Sequence, residues 1–399
     1  MLTKKQTEKY ADVMVWGLKK ARRRKFKKGD IVSVNYDVAA IPLANAMYDR
    51  LIEDGLNIIP RGYMNEPMEY SFYSKGSKKQ LEFIGSWEKD YFGSLAGVVS
   101  LMAPDSLTHL KDVDTKKITM HKKIRKQFRD IMEENESKGL FGWTLSVCPT
   151  EEPARQARLT LKQYTNQIVK ACYLNDPDPV ATWEEIFNEA IEIKKWVSSL
   201  KVKYFHVESN KMDLRIYPGE KRQWLGVSGH NVPSFELFVS PDCRYTEGKY
   251  YADIPSFVNG NYVEGLELNF KNGEVISAYA KSGEDFVHKY LDTDKGAVRL
   301  GEFALVDKRF SKINKFMANT LFDENFGGPN GSCHIALGMP YYDTYKGDPS
   351  TLDATAKKDL GFNDSAIHWD VINSENKTVT AYLTSGKSTV IYEKGSFIH

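Results

Sequence analysis

The sequence predicts two domains of different class: an α/β domain with an open, mostly parallel sheet over residues 1–205, then an α+β domain over residues 206–399. Three observations carry that reading. Up to about residue 200, apolar strand-like runs alternate with segments of helical period, the pattern of parallel strands joined by crossover helices. Asn175-Asp176-Pro177-Asp178-Pro179 then breaks the chain before one more long helix. From Leu214 onward, short strands are separated by Gly226, Gly229, Asn259-Gly260 and Asn272-Gly273, the punctuation of antiparallel pairs.

The elements follow in order. Tyr10, Val13, Met14, Gly17, Leu18 and Ala21 recur at helical spacing and give a first helix ending near Arg23. The basic run Lys19 to Lys28 sits at its C-terminus, where cations complement the helix dipole. Gly29-Asp30 turns into a strand at Ile31 to Val34, a helix spans about Pro42 to Glu53 with Gly55 as its cap, and Leu56 to Ile59 is the next strand. That is a βαβ unit without a glycine-rich dinucleotide fingerprint. Leu81 to Ile84 reads as a further strand, Lys117 to Glu136 as a charged helix stopping at Gly139, and Trp143 to Val147 as a strand. A helix begins at Thr150 with Glu151 and Glu152 in its first turn.

Beyond the Asn175–Pro179 break, a helix is expected from about Thr182 to Leu200 and a strand from Val202 to Val207. The change of character at residues 200 to 212 marks the domain boundary. Further helices are expected at Glu284 to Leu291 and Lys312 to Leu321. Ser385-Gly386-Lys387-Ser388-Thr389 looks like the end of a phosphate-binding loop, but Ala381 stands where its first glycine belongs. A hairpin turn between Thr378–Leu383 and Ser388–Tyr392 is the better reading.

Charge and cysteine usage narrow the partners. With 55 basic against 53 acidic residues the net charge is +2, so no global field draws the protein to nucleic acid or an anionic membrane. A small substrate is the expected partner. Cys148, Cys172, Cys243 and Cys333 are far apart and lack metal or redox spacing, which suits a reducing, cytoplasmic setting. The chain opens without the apolar core of a signal peptide, and no apolar run reaches membrane-spanning length.

Six residues able to ligate metal stand out in the second domain: Glu236, Glu302, Glu324, His334, His368 and Asp370. His368 and Asp370 are two apart, so on a strand both point to one face. Glu302 lies amid Leu300, Phe303, Ala304, Leu305 and Val306, where a carboxylate is costly unless a cation or donor compensates it. His334 is in the apolar stretch Cys333 to Gly338 and must find a partner. Each also has a plain structural reading: a core hydrogen bond for His334, a surface pair for His368 and Asp370, a turn cap for Glu324, a solvated strand position for Glu236. Taken together, mixed carboxylate and imidazole donors accept zinc, cobalt, manganese and, less readily, magnesium, and a pair of such ions suits water-activated hydrolysis.

The segments carrying these residues resemble, in order, the thermophilic metalloaminopeptidase family typified by aminopeptidases T and S. They are Asn231-Val232-Pro233-Ser234-Phe235-Glu236, then Leu291-Asp292-Thr293-Asp294 leading to Arg299 through Val306, then Thr320-Leu321-Phe322-Asp323-Glu324-Asn325, then Cys333 through Gly338 with Tyr341 beyond, and last His368-Trp369-Asp370. The resemblance is dense from about Asn231 to Asn373. It implies an enzyme that removes N-terminal residues from peptides, and a homodimer. It implies two divalent ions held by Glu236, Glu302, Glu324, His334, His368 and Asp370. Glu302 or Asp370 would bridge them, Glu302 and Glu324 would serve catalysis, and Tyr341 would donate to the oxyanion. Two positions depart from the family pattern. Phe235 replaces a glycine, and the Phe326 to Ser332 loop lengthens the link from Glu324 to His334, which makes Glu324 the ligand expected to be displaced. A dipeptidase, an amidase or a non-catalytic relative are the alternatives.

Overall fold

Four parallel strands form the first sheet of the computed structural model, which describes residues 1–399. They are β1 (Ile31–Tyr36), β2 (Asn57–Gly62), β3 (Leu95–Met102) and β4 (Gly142–Val147), in the order β2-β1-β3-β4. Helix Lys4–Ala21 starts on a capping box between Thr3 and Gln6, which satisfies two of its free terminal groups. It buries Tyr10, Val13, Met14 and Leu18, and helix Ile41–Glu53 buries Leu43, Met47 and Leu51. These apolar faces cover the buried Val32, Val34, Val99 and Leu101 of the central strands.

The third parallel strand is not where the sequence reading placed it. Residues 78–81 are a helical turn, because Ser77 and Gln80 form a capping box that nucleates it, and Leu81 to Ile84 forms no strand. Leu95–Met102 takes the place between β1 and β4, with Leu95, Val99 and Leu101 inside.

Contacts divide the chain into one unit of Met1–Trp183 with Ser228–Pro233 and a second of Glu184–Val227 with Ser234–His399. The division falls within helix Pro179–Ser199, whereas the composition of the sequence changes at residues 200 to 212, where the antiparallel strands begin. Residues 228–233 return to the first unit because His230 and Val232 bond the backbone of Leu145, extending the edge of β4.

The second unit holds two antiparallel sheets. Its strands are β5 (Val202–Glu208), β6 (Asp213–Ile216), β7 (Glu236–Val239), β8 (Glu247–Ala252), β9 (Ser256–Val258), β10 (Asn261–Lys271) and β11 (Glu274–Ser282). They continue with β12 (Leu300–Val306), β13 (Ser332–Gly338), β14 (His368–Asn373), β15 (Thr378–Leu383), β16 (Ser388–Glu393) and β17 (Ser396–Phe397). The larger sheet runs β11-β10-β8-β6-β5-β15-β16-β17 with β9 beside β10, and the smaller runs β14-β13-β12-β7. Every residue of β12 and β13 is buried, so the small sheet is covered on both faces. The expected hairpin at Ser385-Gly386 joins β15 to β16.

The helix expected from Lys312 to Leu321 is reduced to Thr320–Asp323. The buried Asp323 carboxylate accepts hydrogen bonds from the amides of Met317 and Asn319, and Ala318 between them has a left-handed φ of 51°. That bend satisfies locally the donors a longer helix would have used.

Candidate metal centre

Antiparallel partners directly opposite each other point to the same face of a sheet, so the register of the small sheet assigns its faces. In β12, Glu302, Ala304 and Val306 share a face. Glu302 lies opposite Ala336, Ala304 opposite His334, and Val306 opposite Glu236. Ala336 in turn lies opposite Asp370, and Gly338 opposite His368. Glu236, Glu302, His334, His368 and Asp370, drawn from four strands, therefore project from one face. Phe303, Leu305, Ile335, Leu337, Trp369 and Val371 take the other face, and all six are buried. Two alanines among the five polar groups keep the centre of the face free of bulk.

A bulge sets this phase. The β12–β13 register shifts between Leu300 and Glu302, leaving Gly301 as the extra residue. A Cβ on Gly301 would lie 2.3 Å from the Met339 carbonyl oxygen, so only glycine fits. Gly226, at φ 121°, is equally constrained, since a Cβ there would lie 1.9 Å from the carbonyl oxygen of Glu236. The adjoining Leu225 exchanges two backbone hydrogen bonds with Phe238 of β7 and steadies the strand that carries Glu236.

His334 Nε2 stands 3.2 Å from Glu236 Oε2 and 3.2 Å from Glu302 Oε1. One donor atom from each of these three residues lies within 4.8 Å of the others, as a shared metal ion requires. His368 Nε2 is 3.3 Å from Asp370 Oδ1 and 3.9 Å from Glu302 Oε2. The backbone carbonyl of Met339 accepts from His368 Nδ1 at 2.8 Å, which fixes Nε2 as the atom facing the carboxylates. Glu324 follows the short helix Thr320–Asp323 and is buried, with its nearest hydrogen-bond contact Asn325 Nδ2 at 3.4 Å. The Phe326 to Ser332 loop folds back on the 307–313 segment, with the amides of Gly327 and Gly328 both on the Ile313 carbonyl. Phe235 has no left-handed backbone and buries its ring completely, so the position does not demand glycine in this chain.

The electrostatics of the cluster are those of a site short of positive charge. Burial, opposed by the bond from His334, pushes the Glu302 carboxyl up to about 7. Burial and then the charges of Glu236 and Asp370 hold Glu324 well above the ordinary carboxylate range. Burial disfavours the charged form of His334, yet its bonds to Glu236 and Glu302 outweigh it and keep the imidazole protonated well above 6.5. Asp370 likewise overcomes burial to raise His368 to about 9, and His368 overcomes burial to lower Asp370. No lysine or arginine pairs with these carboxylates: the ion pairs recorded for Glu236, Glu302 and Asp370 are with His334 and His368 alone. Four carboxylates, three of them buried and Asp370 partly so, thus face two imidazoles and no other cation, and a hard or borderline divalent ion fits the oxygen and nitrogen donor set.

Tyr341 lies beside the centre, its ring edge-on to His368 at 5.2 Å and 5.3 Å from Phe238. Its backbone amide donates to Ser240 Oγ at 2.8 Å, and the Ser240 hydroxyl and that of Thr344 both donate to its carbonyl. Burial and the charges of Glu302, Asp370, Glu236 and Glu324 hold its phenol protonated, well above 10. Ser240, Asn325 and the Gly301 bulge escaped the sequence reading. Of the three, only Gly301 carried a local signal, as a glycine within a strand-like run.

A face of carboxylates and imidazoles on an antiparallel sheet has the donor set of a metal-dependent enzyme. Comparison places it within that class: the family model described as thermophilic metalloprotease (M29) matches residues 3–397, and the chain belongs to that family. Aminopeptidase T of Thermus aquaticus is 32% identical over 274 residues, covering 64% of this chain and 63% of that protein's length. Aminopeptidase AmpS of Bacillus subtilis is 25% identical over 402 residues, covering 93% of this chain and 94% of that one. Aminopeptidase 2 of Geobacillus stearothermophilus is 26% identical over 427 residues, with 98% of each covered. The solved structure of wild-type AmpT from Thermus thermophilus superposes with a TM-score of 0.82 at 22% identity, over 99% of both chains, and shows a shared fold. No helix is long and apolar enough to cross a membrane.

Proposed function

We propose that this metalloprotease is an aminopeptidase that removes N-terminal residues from peptides, with Glu236, Glu302, Glu324, His334, His368 and Asp370 holding two divalent ions. The observation that carries the reading is the register that gathers five of these groups on one face, three of them buried and His368 and Asp370 partly so, with no lysine or arginine to neutralise them. Charge supports the number of ions. Glu236, Glu302, Glu324 and Asp370 bring four negative charges when ionised, and two divalent cations beside neutral imidazoles balance them. Zinc, cobalt, manganese and magnesium all suit the donors. The relatives named as aminopeptidases support peptide substrates, the resemblance of the motifs supports a homodimer, and the four free, dispersed cysteines suit a cytoplasmic setting.

Bound ions supply an acidified water and an electrophile for the scissile carbonyl. Glu324, buried beside Glu236 and Asp370, would take the proton released on attack once metal uptake has left it ionised, and would pass it to the leaving amine. Tyr341 keeps its proton and donates it in a hydrogen bond to the developing oxyanion. A free N-terminal amine would add a neutral nitrogen donor at this site, which a blocked terminus lacks.

The test is hydrolysis of aminoacyl-arylamides by the metal-loaded protein. Free-amine substrates should turn over and their N-acetylated counterparts should not, with activity lost to a chelator. Equal rates on both would move the enzyme to the amidases. Tyr341→Phe should lower kcat by about 10²- to 10³-fold with little change in KM, because the missing bond forms mainly in the transition state. A wild-type kcat in that variant would remove Tyr341 from the chemistry.

A further inference from the structure

We propose that Asn325 is a positioning residue of the metal centre, locking Glu236 and Glu324 into one arrangement from two separate segments of the chain. Its side chain is fully buried and makes contacts on both sides. Oδ1 accepts hydrogen bonds from two successive backbone amides, Phe235 N at 2.5 Å and Glu236 N at 3.1 Å. Nδ2 donates to the Leu321 carbonyl at 3.0 Å and lies 3.4 Å from Glu324 Oε1. The orientation of the amide is fixed by these partners, since a flipped group would set an NH2 against two N–H donors and an oxygen against a carbonyl and a carboxyl. Its own carbonyl accepts from the Ser311 hydroxyl, which anchors the residue to the 307–313 segment.

The consequence concerns geometry more than stability. Glu236 is the first residue of β7 and Glu324 is the C-cap of a four-residue helix, so neither stands in the middle of a rigid element. Strand pairing fixes Glu302 and His334 from both sides and Asp370 from one, and the Met339 carbonyl holds the His368 ring at its strand end, whereas Glu236 sits at a strand end and Glu324 has no strand at all. One carboxamide supplies what the fold leaves out. An aspartate would keep the acceptor oxygens and lose the donor to Glu324, while a leucine or alanine would strand two buried amides.

The inference rests on Glu236 and Glu324 being ligands, and the experiment separates the two. Cobalt alone is titrated into wild-type, Asn325→Ala, Glu236→Ala and Glu324→Ala proteins in competition with a chelator, with the visible cobalt spectrum recorded at saturation. Asn325→Ala should bind cobalt about 10- to 100-fold more weakly, as when the outer partner of a ligand is lost. It should also shift the cobalt absorption bands, because its remaining ligands settle differently. Saturating metal should restore much of its activity. Cobalt binding unchanged in Glu236→Ala and Glu324→Ala would overturn the ligand assignment. Weakened binding in those two, with Asn325→Ala within threefold of wild type and spectrally identical, would overturn the role of Asn325. If Asn325→Ala does not fold, Asn325→Asp carries the test: it keeps the bonds to Phe235 and Glu236, and its charge repels Glu324. Weaker binding with an altered spectrum is expected, and wild-type affinity and spectrum would again overturn the role.

Discussion

Replacing Glu302 with glutamine should abolish hydrolysis, with kcat falling by at least about 10³-fold, while the protein remains folded. The loss should exceed the 10- to 100-fold typical of removing only an outer partner of a metal ligand. Glu302 is the middle of the cluster: one carboxyl oxygen is 3.2 Å from His334 and the other 3.9 Å from His368. It therefore links the His334 and Glu236 side of the face to the His368 and Asp370 side, the position a bridging carboxylate needs. Glutamine keeps the shape and one weak oxygen donor, but it removes the charge and turns an NH2 toward an imidazole or a cation. The fold should tolerate it because Glu302 is 3% exposed and its burial already disfavours the ionised form, so a neutral isostere relieves that penalty in the unloaded protein. Steady-state rates, unfolding temperature and metal content measured on one preparation check all three parts. Wild-type turnover at full metal occupancy would reject the assignment.

The unloaded protein should lose stability as pH rises from about 5 to 9, and divalent ions should restore it. The sign follows from proton binding. His334 and His368 have folded-state affinities raised above 6.5, His368 to about 9, so their contribution is full at low pH and disappears as pH climbs through those values. Glu302, raised to about 7, and Glu324, held well above the ordinary carboxylate range, are penalised on ionising, a cost that starts near 4.5 and grows with pH. Both effects make the native state bind more protons than the unfolded chain, so stability falls with rising pH. An ion takes the place of those protons. The unfolding temperature of chelated protein should drop by roughly 5 °C or more between pH 5 and pH 9, and saturating metal should flatten the curve. Calorimetry in buffers of different ionisation enthalpy should find a net release of protons on metal uptake at pH 7. A chelated protein that becomes more stable over the same interval would contradict the electrostatic description of the site.

Most of the site was legible because it is made of strands. Alternation tells which residues share a face, so His368 and Asp370 read as a same-face pair and Glu302 as a carboxylate in an apolar run, while the resemblance of the motifs is what joins them with the other candidates. What alternation does not give is register between strands, which here depends on the bulge at Gly301. Nor does it reach residues that act from loops. Asn325 is one more polar residue beside a turn until the fold brings it against Phe235 and Glu236.

The elements misread from the sequence fail for a related reason. Leu81 to Ile84 is apolar enough for a strand, but Ser77 and Gln80 decide the conformation from just upstream through a capping box. Lys312 to Leu321 has a helical composition, but Asp323 captures the amides of Met317 and Asn319 and bends the segment instead. In both cases a specific hydrogen bond outweighs a weak average preference.

Anomalous diffraction from crystals soaked in zinc or cobalt tests the central claim most directly. Two peaks about 3.5 to 4 Å apart are expected, ringed by Glu236, Glu302, Glu324, His334, His368 and Asp370 at about 2.0 to 2.2 Å. Peaks confined to the protein surface, with the six side chains still paired only to one another, would contradict it.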